Sequence, residues 1–156
     1  MEIQSDPQAR TRMAPGHRLA RGVCRHLDGF DFACLEEFSP TAGLRVDVLA
    51  LGPKGEVWVI ECKSGIADYR TDHKWRGYLD WCDRFFWAVG TDFPAEILPD
   101  ETGLMIADDF DAEILRMGPE ARLAPARRKA VVQAFARNAA RRLRMFCDPG
   151  LAGLVR

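Results

Sequence analysis

The chain lacks most of what would place it in a membrane or an oxidising compartment. No stretch approaches the roughly 18 consecutive apolar residues of a membrane helix. The opening stretch MEIQSDPQARTRM is polar and carries two acids, so a signal peptide is not expected there. The five cysteines (Cys24, Cys34, Cys62, Cys82, Cys147) are odd in number, scattered, and include no Cys-x-x-Cys. That argues against a disulfide framework or a zinc site and for a reducing, cytoplasmic setting, with each thiol a small buried hydrophobe. Asp108, Asp109 and Asp111 cluster, yet the DxDxDG pattern of a calcium loop is absent, so they read as turn acids. There is no internal repeat and no low-complexity segment. What remains is 156 residues, 47% apolar and 29% charged. That is enough for one domain with a real core, expected over residues 16–156 behind a flexible tail at 1–15.

Acids are missing from one region. None lies between Ala121 and Cys147. Residues 122–156 hold nine Lys/Arg against one acid, a balance of +8, while residues 1–121 hold 13 against 22, a balance of −9. An acidic body with a basic end suits an acidic metal site beside a cationic phosphate-binding face. A solvated helix face accounts for the same basic run.

The stretch from Leu44 to Ser64, LRVDVLALGPKGEVWVIECKS, organises the rest. It holds two β-type runs, Leu44–Leu51 and Glu56–Lys63, joined by the turn residues Gly52-Pro53-Lys54-Gly55. Asp47 interrupts the first run, and Glu61 and Lys63 close the second. Buried charges of this kind are costly unless paired or bound to a metal. Strand alternation points Glu61 and Lys63 to one face, with Asp47 on the neighbouring strand. Two carboxylates make a hard-oxygen site for Mg²⁺ or Mn²⁺. A lysine beside them orients a water or stabilises charge on a phosphate. The alternative is a buried ion-pair cluster that only holds the hairpin together.

On either side, His17–Leu27 reads as a helix with Leu19, Val23 and Leu27 inward, stopped by Asp28-Gly29. Phe30–Phe38 reads as a strand with Phe32, Cys34, Glu36 and Phe38 on one face, which brings Glu36 or Glu37 toward the cluster. The polar stretch Asp68–Asp72 suits a helix cap. Trp75, Tyr78, Leu79 and Cys82 then recur at helical spacing, predicting an amphipathic helix over 71–83, on which Lys74 and Tyr78 either face the site or are, respectively, surface and core. Strands are expected at 84–90, 104–108 and 112–116, the last two as a hairpin. From Pro125 to Phe146 a long helix is expected, with Val132, Phe135, Ala139, Leu143 and Phe146 as its apolar stripe. Its Arg137, Arg141 and Arg144, together with Arg70, are the candidate phosphate contacts. Tyr69, Trp75 and Trp81 are aromatics able to stack a planar ligand, with Trp81 equally suited to the core. The order predicts an α/β domain: a mixed central β-sheet flanked by helices.

The arrangement D-x13-E-x-K, formed by Asp47, Glu61 and Lys63 on successive strands, resembles the PD-(D/E)XK nuclease superfamily. The Pro of that motif is absent; Val46 stands in its place. More closely, RVDVLAL, VWVIECKSGIADYRTDHKW, YLDWCDRFFWAV and GLMIADDFDAEILR resemble the MmcB-like DNA-repair proteins of bacteria over roughly residues 17–117. The resemblance implies a restriction-endonuclease-like three-layer core and metal-dependent cleavage of DNA in repair. It implies Asp47 and Glu61 as metal ligands, the Cys62 backbone carbonyl as a further one, and Lys63 as the residue that positions water or stabilises the phosphate. Lys74-x3-Tyr78 sits where some branches carry QxxxY. A homodimer and repair-protein partners are further expectations. Many active members also draw a Glu from the first helix, and helix 17–27 contains no acid. A nuclease-fold protein that binds DNA or scaffolds repair without cutting is the alternative.

Overall fold

The computed structural model describes residues 13–153. Residues 1–12 of the expected tail lie outside the described residues. The elements run α1 (Pro15–Asp28), β1 (Ala33–Thr41), β2 (Leu44–Leu51), β3 (Val57–Lys63), α2 (Ile66–Thr71), α3 (Trp75–Tyr78), β4 (Arg84–Val89), β5 (Gly103–Ala107), β6 (Ala112–Arg116) and α4 (Pro125–Cys147). Short 3₁₀ turns follow α3, precede β5 and close the described chain.

All six strands form one sheet in chain order. β1, β2 and β3 are antiparallel neighbours, β3–β4–β5 are parallel, and β6 returns antiparallel to β5. The sheet is therefore mixed, as the sequence predicts. Gly52–Gly55 makes the hairpin turn between β2 and β3, with Gly55 at φ 85°, where a side chain would be strained. Successive side chains of β3 divide between the two faces. Ile60 and Cys62 pack under α1 with Leu19, Val23 and Leu27. Val57 and Val59 pack on the other side with Trp75, Tyr78, Val131 and Phe135. Helix, sheet and helix make three layers.

Four expectations need correction. The helix predicted over 71–83 is broken: α2 ends at Thr71, Asp72 is extended (φ −82°, ψ 110°), and α3 is a single turn followed by a 3₁₀ turn. The cause is Asp72 itself. Its Oδ1 accepts the N–H groups of Lys74 and Trp75, starting a new turn instead of continuing the old one. Trp75, Tyr78 and Cys82 are buried as the spacing predicts, whereas Leu79 is exposed. The strand predicted at 30–38 begins at Ala33; Phe30 stays in solvent while Phe32 is buried. Phe38 packs with Phe135, on the opposite face from Phe32 and Cys34. Glu37 lies between at φ 50°, and this left-handed residue breaks the strict alternation of β1.

The last two corrections concern α4 and the thiols. Of the predicted stripe only Phe135 is buried, joined by Val131; Leu143 and Phe146 are exposed, beyond the last residue of the helix that joins a core cluster. Cys62 and Cys82 are buried, Cys24 and Cys34 half-buried, and Cys147 exposed at that same unpacked end. The acids at 108–111 behave as expected: Asp108 Oδ1 accepts the N–H groups of Phe110 and Asp111, closing the β5–β6 turn.

Candidate active site

The ladder between β2 and β3 runs from Leu51↔Val57 to Val48↔Ile60. Beyond it, two carboxylates take over the strand contacts. Cys62 N–H donates to Asp47 Oδ2 (2.7 Å), and Asp47 N–H donates to Glu61 Oε2 (3.3 Å). Each acid is thus bonded to the other's strand by one oxygen. Glu61 and Lys63 are both buried, at 5% exposure each. By alternation with Val59, Glu61 and Lys63 leave β3 on the face opposite α1, while Asp47, between Val46 of that face and Val48 of the α1 face, meets them at the strand end, where all three line one cleft with His17 and Ala20 of α1. Asp47, Glu61 and Lys63 therefore converge.

Lys63 Nζ lies 3.5 Å from Glu61 Oε1, 2.8 Å from Asp72 Oδ2 and 3.9 Å from Asp68 Oδ1. It also sits 5.9 Å from the centroid of the Trp87 ring. Asp72 and Asp68 were not picked out by the spacing of D, E and K. The signal was present in the polar stretch Asp68–Asp72, which suits a cap. Asp72 does cap α3 with one oxygen, and the other oxygen reaches back to Lys63.

Charge is unevenly compensated here. Burial, then the negative Asp47 beside it, push the Glu61 carboxyl up to about 8. Burial likewise raises Asp47, against the pull of the Cys62 N–H. Burial alone would lower the Lys63 ammonium; the Asp72 hydrogen bond and then Glu61 outweigh it, and the net shift is upward. Burial would raise Asp72 too, but its bonds to Lys63 and to the Lys74 N–H hold it low. The lysine is thus drawn to Asp72, and the Asp47–Glu61 pair is left short of positive charge.

A cleft of about 240 Å³ opens over this pair, lined among others by Glu36, Glu37, Arg45, His17 and Asp68. Glu36 belongs to it, as β1 was expected to bring it; burial raises its carboxyl. Its neighbour Glu37 accepts from His17 Nε2 at 3.2 Å. The two backbone carbonyls of this acidic pair are held by Arg142 of α4, whose Nη1 and Nη2 donate to Glu36 O (2.6 Å) and Glu37 O (3.1 Å). Arg142 was visible in the sequence only as one more basic residue. Tyr78 is buried and its hydroxyl donates to Arg45 O at 3.1 Å. Burial and then Glu61 raise its phenol. Lys74 is exposed and shares a shallow hollow with Lys63, Asp72 and Tyr78.

Among the described residues, no three His, Cys, Asp or Glu side chains gather closely enough to hold a metal ion together. Two carboxylates nevertheless fit a hard divalent ion. One oxygen of each is committed to a backbone N–H, and burial with mutual repulsion disfavours two negative charges unless a cation joins them.

Arg70, Arg137, Arg141 and Arg144 are all exposed. Arg137 and Arg141 flank a groove beside Phe38 and Ser39, and Arg144 lies 3.7 Å from Asp148. Of the stacking aromatics, Trp75 is core, Trp81 is covered by the Arg127 guanidinium at 4.1 Å, and Tyr69 packs edge-on against Trp87. None of the described helices is long and apolar enough to cross a membrane.

The family described as DNA repair protein MmcB-like matches residues 4–150. A solved structure of a protein of unknown function from Silicibacter pomeroyi is 63% identical, covers 89% of this chain and 95% of its own, and superposes with a TM-score of 0.87. No curated protein matches the chain.

Proposed function

The chain belongs to the MmcB-like DNA repair protein family, and from that premise we propose that it is a metal-dependent DNA nuclease of the PD-(D/E)XK type. The observation that carries this reading is the Asp47–Glu61 pair. Two carboxylates, Glu61 buried and Asp47 half-buried, bonded to each other's strands and undercompensated by Lys63, stand at the end of an interrupted ladder. A purely structural ion-pair cluster would match charge with charge, and this pair does not.

Mg²⁺ or Mn²⁺ held by Asp47 and Glu61, with the Cys62 carbonyl as a further ligand, would supply an activated water and a Lewis acid for the phosphate. The residues of the chain do the rest. Lys63 presents an ammonium kept protonated by Asp72, beside the carboxylates, where charge grows on a phosphate under attack. Asp72 fixes that ammonium and is a positioning residue. Glu36, from β1, adds negative charge to the cleft where the first helix brings none. Arg70, Arg137, Arg141 and Arg144 would meet phosphates along the strand and make binding salt-sensitive. Repair partners and a homodimer belong to the same reading.

The test is cleavage of plasmid and of labelled oligonucleotides in Mg²⁺ and Mn²⁺. Lys63→Ala and Asp47→Asn are expected to lose about 100-fold or more in rate and to keep DNA binding. Cleavage by pure protein that survives both substitutions would sink the assignment.

One observation favours a second reading, a DNA-binding repair scaffold that does not cut. Lys63 is nearer to Asp72 than to Glu61. Salt-sensitive binding lost in the Arg137→Ala, Arg141→Ala double variant, with no cleavage in either metal, would select it.

A further inference from the structure

A second cavity, of about 580 Å³, lies next to the cleft. The two share walls. Lys63 lines the cleft, and the next residues, Ser64 to Ile66, line the cavity; Gly16 and His17 face the cleft, while Pro15, Arg18 and Leu19 face the cavity. It sits where the three parallel strands end: Ser64 follows β3, Gly90 follows β4, and Ala107 ends β5. Open α/β sheets hold ligands outside the carboxyl ends of their strands.

The walls decide the class of ligand. Ile66, Phe93, Pro94 and Phe110 are apolar, two of them aromatic. Phe110 is 54% exposed at the mouth, and Phe93 is braced edge-on by Tyr69. The charged lining is mostly acidic, with Asp92 and Asp109 beside Arg18. Such a lining repels a phosphate. It accepts a flat apolar ring that carries amino groups at its edge, and purines and cytosine answer that description.

We propose that this cavity receives an unpaired nucleobase of the strand whose phosphate lies at Asp47, Glu61 and Lys63; the proposal rests on the DNA-cleaving reading of that site. The cleft then handles the backbone while the cavity recognises a base that has left the stack. The chain thereby selects DNA with a bulge, a mismatch or a damaged base over intact duplex, since an unpaired base costs less to extrude.

The experiment compares two short fluorescein-labelled duplexes, identical except for one bulged adenine, by anisotropy at low salt with Ca²⁺ in place of Mg²⁺. The wild-type protein is expected to bind the bulged duplex about tenfold more tightly. Phe110→Ser removes an aromatic wall at an exposed position. Gly90→Phe fills the cavity from the backbone, where an added Cβ meets nothing within 4 Å. Each is expected to cut the preference to about twofold or less while leaving affinity for the intact duplex unchanged. Equal binding of the two duplexes by the wild type, or a preference that survives both substitutions, overturns the base pocket and leaves the cleavage reading standing. Binding of neither duplex overturns both.

Discussion

β3 is gripped at each end by an aspartate, and the two grips have opposite electrostatics. At its start, Asp83 accepts the N–H groups of Val57 and Leu123, both at 2.8 Å, and a two-pronged bond from Arg128 at 2.6 and 2.7 Å. Burial alone would raise its carboxyl; Arg128, then the backbone donors, reverse this and hold it low. At the other end, Asp47 accepts the Cys62 N–H and faces a second carboxylate, and both are pushed up. Residue type is the same; Asp83 is buried and Asp47 half-buried. The larger difference is whether each negative charge has been given a cation of its own. Asp83 has its guanidinium. Asp47 and Glu61 share a lysine that leans toward Asp72. The first arrangement ties β3 to α4. The second leaves two carboxylates sharing one lysine with Asp72.

Three measurements sharpen or break that contrast. The largest effect belongs to Asp83→Ala. It strands Arg128 and two backbone donors, and is expected to lower unfolding stability by about 3–5 kcal/mol in urea denaturation, with cleavage per folded molecule unchanged. Glu61→Gln at pH 8 is expected to leave stability within about 1 kcal/mol or raise it. If Glu61→Gln costs as much as Asp83→Ala, the two ends are alike and the contrast fails.

Divalent ions come next. At about one hundred times its dissociation constant, Mg²⁺ is expected to stabilise the wild type by about 2.7 kcal/mol. Calorimetry should show no such rise in Glu61→Gln or Asp47→Asn. An equal rise in the variants would place the ion elsewhere.

The smallest effect is the pH dependence of the metal-free protein. The folded Glu61 carboxyl titrates near 8 and its ordinary value is 4.5. The folded state therefore binds the extra proton, and its contribution is whole below about pH 4.5 and lost as pH rises through about 8. The slope is at most about 1.4 kcal/mol per pH unit and should flatten in Glu61→Gln. Asp83 runs the other way: its carboxyl is lowered from 3.8, so its contribution is present above that pH and is lost on acidification. A wild-type stability that climbs between pH 5 and 8 would contradict the assignment of the strained pair.

The convergence of Asp47, Glu61 and Lys63 was legible because a strand has a period of two and a short hairpin fixes which strands are neighbours. The mixed sheet followed from the order of elements along the chain; the order of its strands did not. Asp72 was hidden because helical spacing at Trp75, Tyr78 and Cys82 continues across a break that one side-chain hydrogen bond creates. Phe38 was put on the wrong face because alternation assumes regular backbone, and Glu37 is left-handed. The Arg142 fork joins residues more than a hundred positions apart, a distance that local pattern does not carry. For α4, periodicity located a stripe without revealing where its contact with the core ends.

The two arginine contacts of α4 also set an order of assembly. Arg128 closes on Asp83 and on the Gly55 carbonyl, and Arg142 closes on β1, so one helix is stapled to the sheet at two places. Every residue of the Asp47–Glu61–Lys63 cluster leaves the ribosome well before that helix does. The hairpin forms early from local contacts, while the long loops closed by the staples are formed late and slowly. A nascent chain thus carries Asp47, Glu61 and Lys63 before it carries the brace that shapes their cleft, and the cleft is completed only once α4 has emerged.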